Sequence, residues 1–128
     1  MRRYLTVKDV VAFHDRILTE IGGLPGFRDQ GLVDSAVNRL HTGYYKNLFE
    51  EAAALMESLA NNHGFLDGNK RTAFVSTDAF LRLNGFYMRV EPLAAHALMT
   101  QAIAQHVFKF DLILAWIFTD YERIQESA

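Results

Sequence analysis

Asn47–Gly85 reads NLFEEAAALMESLANNHGFLDGNKRTAFVSTDAFLRLNG, and its pattern decides the fold. Leu48, Ala52, Leu55, Met56 and Leu59 recur at helical spacing, with Glu50, Glu51 and Glu57 off the apolar stripe, so a helix is predicted from about Asn47 to Asn61. A second begins near Asn69 and continues through Ala73, Phe74, Thr77, Phe80 and Leu81. It stops at Asn84-Gly85, where glycine suits the left-handed residue after a helix. Between the two lies His63–Arg71, HGFLDGNKR, which gathers an imidazole, a carboxylate, an amide and two cations within nine positions. Core packing needs none of these groups, and a simple turn uses neither the cations nor the imidazole.

The flanking sequence extends the helical pattern in both directions. Upstream, Thr6 is a plausible N-cap for a helix carrying Val7, Val10, Val11, Ile17, Leu18 and Ile21, which Gly22-Gly23 ends. Leu24-Pro25-Gly26 is read as a turn, and Asp29 as the cap of a short helix with Leu32, Val33, Ala36, Val37 and Leu40, closed by Gly43. Downstream, Phe86–Val90 suits an extended segment, although one short run cannot make a sheet. Pro92 fits the first turn of a helix through Leu93, Ala97, Leu98 and Ala102. Asp111 is expected to cap a last helix carrying Leu112, Ala115, Trp116, Phe118 and Tyr121. The expectation is an all-α fold: one compact domain over residues 1–128, a bundle of about six helices with at most a minor extended segment.

Composition bounds the function. The 128 residues are half apolar and include 10 Phe, 5 Tyr and one Trp, enough to build a core without a disulfide or a metal. With no cysteine there is neither a disulfide framework nor a Cys-based zinc site. Thirteen Lys and Arg against fifteen Asp and Glu give a net charge of -2, which argues against direct nucleic-acid binding but allows a local cationic pocket. The N-terminal arginines precede no apolar signal region, and the longest apolar run, Leu112–Phe118, is far short of the ~20 residues that cross a membrane. A cytoplasmic protein is expected. His14, His41, His96 and His106 show no metal spacing. His63 and Asp67 are four apart but lack a third ligand.

The central segment reads as anion handling beside a titratable base. The first N–H groups of a helix starting at Asn69 have no intrahelical acceptor, and the macrodipole favours an anion at that end. Gly68 lets a phosphate approach the backbone, Lys70 and Arg71 add two full charges, and Asn69 can bond to the loop or to a ligand. His63 is the natural base, because an imidazole keeps a neutral fraction near physiological pH. Asp67 can hold Mg²⁺, a hard cation that favours carboxylate and phosphate oxygens, or bear on an incoming hydroxyl. Phe65 is the one large apolar side chain placed to enter the core and anchor the loop.

His63–Arg71 resembles the Fic/Doc motif, which in AMP-transferring members reads HPFxxGNGRxxR. The form ending in NKR looks like the Doc (death-on-curing) branch. Gly22-Gly23, Gly26–Asp29, Leu32–Ala36, Phe80-Leu81 and Asn84-Gly85 extend the likeness over most of the chain. The resemblance implies a toxin of a toxin–antitoxin module, with His63 as catalytic base, Asp67 as the Mg²⁺-associated acid, and Asn69, Lys70 and Arg71 on the phosphates of ATP. Three departures bear on the reaction: Gly64 stands for proline, Lys70 for glycine, and Phe74 for the final arginine. Gly64 should leave the loop freer. The other two disfavour the AMP-transferring pose. They imply instead a protein Ser/Thr kinase that moves the γ-phosphate of ATP to a host hydroxyl, with elongation factor Tu as the first target. An AMP transferase and a non-catalytic binding module are the alternatives. The chain lacks the Ser/Thr-x-x-x-Glu-Gly/Asn inhibitory pattern of some members, which implies a separate Phd-like antitoxin seated in an apolar groove.

Overall fold

The structure, a computed structural model, describes residues 1–125. Helix α1 spans Val7–Ile21 and opens with a reciprocal cap. The Asp9 N–H donates to Thr6 Oγ1 (3.2 Å) and the Thr6 N–H donates to Asp9 Oδ2 (2.8 Å). Helix α2, Gln30–Asn38, runs into a 3₁₀ turn at Arg39–Thr42 that ends on left-handed Gly43. Helix α3, Leu48–Asn61, starts where Asn47 Oδ1 accepts the Glu50 N–H (2.9 Å). Helix α4 is Asn69–Leu83, α5 is Pro92–Ala104 with proline in its first turn, and α6 is Phe110–Asp120.

Helices α3 and α4 form the centre. They pack on each other more extensively than on anything else; α2 and α6 also pack on α3, while α1 and α5 flank α4. Small buried residues allow the close approach: Ala52, Ala53, Ala54 and Ala60 on α3, and Ala73, Ser76 and Thr77 on α4. Larger side chains complete the core, with Phe80, Phe108, Leu81, Ile113 and Ile117 fully buried. The domain is all-α apart from one small sheet, in which strands β1 (Phe86–Met88) and β2 (Tyr121–Arg123) pair antiparallel.

That sheet corrects the expectation that the extended run after α4 stays unpaired. Phe86 lies opposite Arg123 and Met88 opposite Tyr121, so Tyr121 opens a strand rather than continuing the last helix. Asp78 Oδ1 accepts the Met88 N–H (2.8 Å) and fixes where the chain leaves α4. Three further expectations are corrected. Glu51 does not face water: it is 5% exposed and binds Arg2 and the Tyr4 hydroxyl, tying the N-terminus to α3. The cap of α6 is Lys109, two residues before the expected Asp111, because Glu57 Oε2 of α3 accepts the Phe110 N–H (2.8 Å). Leu24–Gly26 closes no turn of its own; the Gly26 carbonyl accepts the Leu66 N–H (3.1 Å) and Phe27 bridges to Phe65.

Candidate active site

The loop His63–Gly68 joins the two central helices, and its course is fixed from three sides. His63 has φ +54°, a left-handed conformation uncommon outside glycine, and this bends the chain sharply off α3. Gly64 is then buried, and its carbonyl accepts both the Arg28 and Asp29 N–H groups (2.9 and 3.0 Å). A Cβ there would lie 2.5 Å from Val33 Cγ2. Glycine at this position therefore serves close packing, and the loop is held there rather than freed, contrary to the expectation from a missing proline.

Phe65 is 3% exposed, its ring stacked between His14 (centroids 3.8 Å apart, planes at 9°) and Phe27 (5.3 Å, 18°). Asn69 Oδ1 accepts the Phe65 N–H and Asn69 Nδ2 donates to the Phe65 carbonyl, each at 3.0 Å. The Asn69 amide is thus a clamp on the loop, which leaves its backbone N–H, rather than its side chain, to meet a ligand. Asp67 Oδ1 accepts the Gly68 N–H (3.0 Å) and Oδ2 accepts the Leu24 N–H (3.3 Å). The carboxylate lies so close to Gly23 that a Cβ on that residue would be 2.9 Å from Oδ2. The Gly22-Gly23 end of α1 is therefore part of the site wall.

Left-handed Gly68 precedes α4 and offers no side-chain cap. The first backbone bond into the helix is made by the Thr72 N–H to the Gly68 carbonyl (3.0 Å). The Asn69, Lys70 and Arg71 N–H groups stand at the helix mouth with the positive end of its dipole behind them. Two cavities flank this mouth. One, about 180 Å³, is lined by His63, Asp67, Gly68, Asn69 and Lys70, with Ala60, Leu66 and Ile103 as its apolar wall. The other, about 130 Å³, is lined by Asp67–Arg71, the end of α1 and His96. Of these two cavities, His63 lines only the first and Arg71 only the second. Among the described residues neither Lys70 nor Arg71 has a carboxylate within ion-pair distance.

Two histidines that sequence reading left without a role belong here. His14 is 1% exposed and donates from Nε2 to the Asp67 carbonyl (2.8 Å). His96 on α5 faces Lys70 and Arg71; burial, and then the charges of Arg71 and Lys70, hold its pKa below the ordinary histidine value. No local pattern marks either one, since each reaches the site across a helix–helix packing. Phe74, by contrast, is buried beside Trp116, so no cation stands at that position. Among the described residues no group of three metal-ligating side chains occurs. Asp67 is, among the described residues, the single carboxylate lining the two cavities at the helix mouth, and one carboxylate with phosphate oxygens suits Mg²⁺.

Residues 4–81, more than half the chain, match the Fic/DOC family. The chain is 41% identical over 96 residues to a protein named Toxin Doc from Mycolicibacterium smegmatis, covering 71% of this chain and 72% of that protein. It is 37% identical over 87 residues to Protein kinase doc of Escherichia phage P1, covering 65% and 69%.

Proposed function

This chain belongs to the Fic/DOC family, and from that premise we propose that it is the toxin of a toxin–antitoxin pair. It acts as a protein Ser/Thr kinase, with ATP as phosphate donor. The observation that carries the reading is one cavity: His63, Asp67 and the open N-terminus of α4 with Lys70 line it together.

The chemistry follows from that placement. The γ-phosphate rests at the helix mouth, where backbone N–H groups and Lys70 stabilise the charge that spreads over its oxygens. A target Ser or Thr hydroxyl enters beside His63, whose free ring nitrogen takes the proton. The hydroxyl oxygen bonds to the γ-phosphorus as the bond to the β-phosphate oxygen breaks, giving a phosphorylated protein and ADP. Base catalysis contributes roughly 10²–10⁴-fold, and oriented charge contributes the larger share. Asp67 would hold Mg²⁺, which neutralises phosphate charge when bound. The bulk and charge of Lys70 at the mouth and the apolar Phe74 both favour this reaction over AMP transfer.

The target we assign is elongation factor Tu, whose modification arrests translation. The restraint is a Phd-like antitoxin. A groove of about 210 Å³ between α1, α4 and α5 presents Ile17, Ile21, Phe74, Val75 and Pro92 beside Lys70, Arg71 and His96. An amphipathic helix laid there covers the apolar floor and the cations together. Incubation with target and ATP labelled at the γ or the α position tests the reaction. Label is expected on the target from γ alone; transfer from α overturns the kinase reading.

A further inference from the structure

We propose that His14 is a positioning residue for the reaction, holding Asp67 and the loop that carries His63 through one hydrogen bond and one ring contact. The proposal rests on the kinase reading only for its catalytic half. Three observations converge on this side chain. Its Nε2 lies 2.8 Å from the Asp67 carbonyl, and because a carbonyl only accepts, Nε2 carries a proton, while Nδ1 lies 3.3 Å from Asp15 Oδ1 on α1 itself. Its ring lies flat on Phe65 at 3.8 Å. Its edge also closes on Gly68, where an added Cβ would meet His14 Cδ2 at 3.6 Å and Nε2 at 3.7 Å.

One buried ring therefore touches Phe65 and Asp67 and faces the open side of Gly68, and it does so from α1, an element remote in sequence. A phenylalanine or leucine would supply the packing alone. The donor is needed because the Asp67 carbonyl lies against a buried ring, and a carbonyl there without a partner is unstable. Holding that carbonyl fixes the peptide between Asp67 and Gly68. That in turn aims the Asp67 carboxylate and sets the left-handed turn that opens α4. Contacts of this kind behind a reacting group are typically worth about 10–100-fold in activity.

The test separates donor from ring. His14→Phe keeps the stack and removes the donor. His14→Gln removes the ring but reaches with an amide N–H to about where Nε2 sits. His14→Asn removes the ring and is too short to reach. For folded variants, hydrogen exchange at the Phe65, Leu66 and Gly68 amides is read alongside kcat and KM for ATP. Faster loop exchange is expected in H14F and H14N than in H14Q. A fall in kcat of about 10–100-fold with KM changed less than about threefold should accompany it, and H14Q should recover most of the activity. If H14F does not fold, the Gln–Asn pair decides alone. Loop exchange and kcat equal to wild type in folded H14F, or equal losses in H14Q and H14N, overturn the proposal. Absence of phosphoryl transfer by the wild-type chain counts against the kinase reading alone, and the exchange comparison then judges His14 by itself.

Discussion

At Gly64 a single hydrogen atom decides whether the loop can sit against α2. Replacing it by alanine drives a methyl into Val33, and overpacking of this kind costs about 1–3 kcal/mol. Urea unfolding of G64A is expected to show that loss, and Val33→Ala in the same chain to recover part of it, because the two sites touch. His96 gives a pH signature. Its folded pKa lies below the unfolded value, so the unfolded chain binds more protons as pH falls through the histidine range. Its contribution is therefore neutral at high pH and increasingly destabilising toward acid. The melting temperature of wild type is expected to fall more steeply than that of His96→Gln between about pH 8 and about pH 5. Pyrophosphate, by offsetting Lys70 and Arg71, is expected to raise the His96 midpoint seen by NMR. No shift with saturating anion would count against an anion site at those cations.

At the scale of elements, helix starts and stops were legible wherever the signal is local. Thr6, Asn47, Pro92 and Asn84-Gly85 all mark boundaries by their own chemistry. Ends fixed by distant partners were not. The start of α6 depends on Glu57 from α3, and β1 depends on a strand more than thirty residues away. Glu57 also pairs with Arg39 (3.2 Å), so it joins the turn after α2, α3 and α6 at one carboxylate. Glu57→Ala is expected to lower stability by about 1–3 kcal/mol and to speed exchange at the Phe110 amide. Glu57→Gln, which keeps an acceptor, should lose less. Equal losses for the two would mean that charge, rather than the capping bond, carries the effect.

Over the whole molecule, the candidate site is an assembly of one contiguous segment with supports from α1 and α5. The segment was readable because its polar groups have no packing use; the supports, His14, Gly23 and His96, were not, because only the fold brings them there. The apolar groove and the cavity beside it share Lys70, Arg71 and His96, so the helix proposed to lie in the groove would cover both. Replacing Phe74 by Ala would deform the core, so Ile21, which is 55% exposed, is the better probe. Ile21→Glu is expected to weaken antitoxin binding at least about tenfold while leaving the fold intact. Unchanged affinity would move the antitoxin elsewhere. The most direct test of the account is the intact mass of elongation factor Tu after incubation with ATP, Mg²⁺ and either the wild-type chain or His63→Ala. Wild type is expected to add the mass of one phosphoryl group and the folded variant none. An adenylyl mass, or equal modification by both proteins, would contradict the assignment of His63 to the removal of a proton during γ-phosphate transfer.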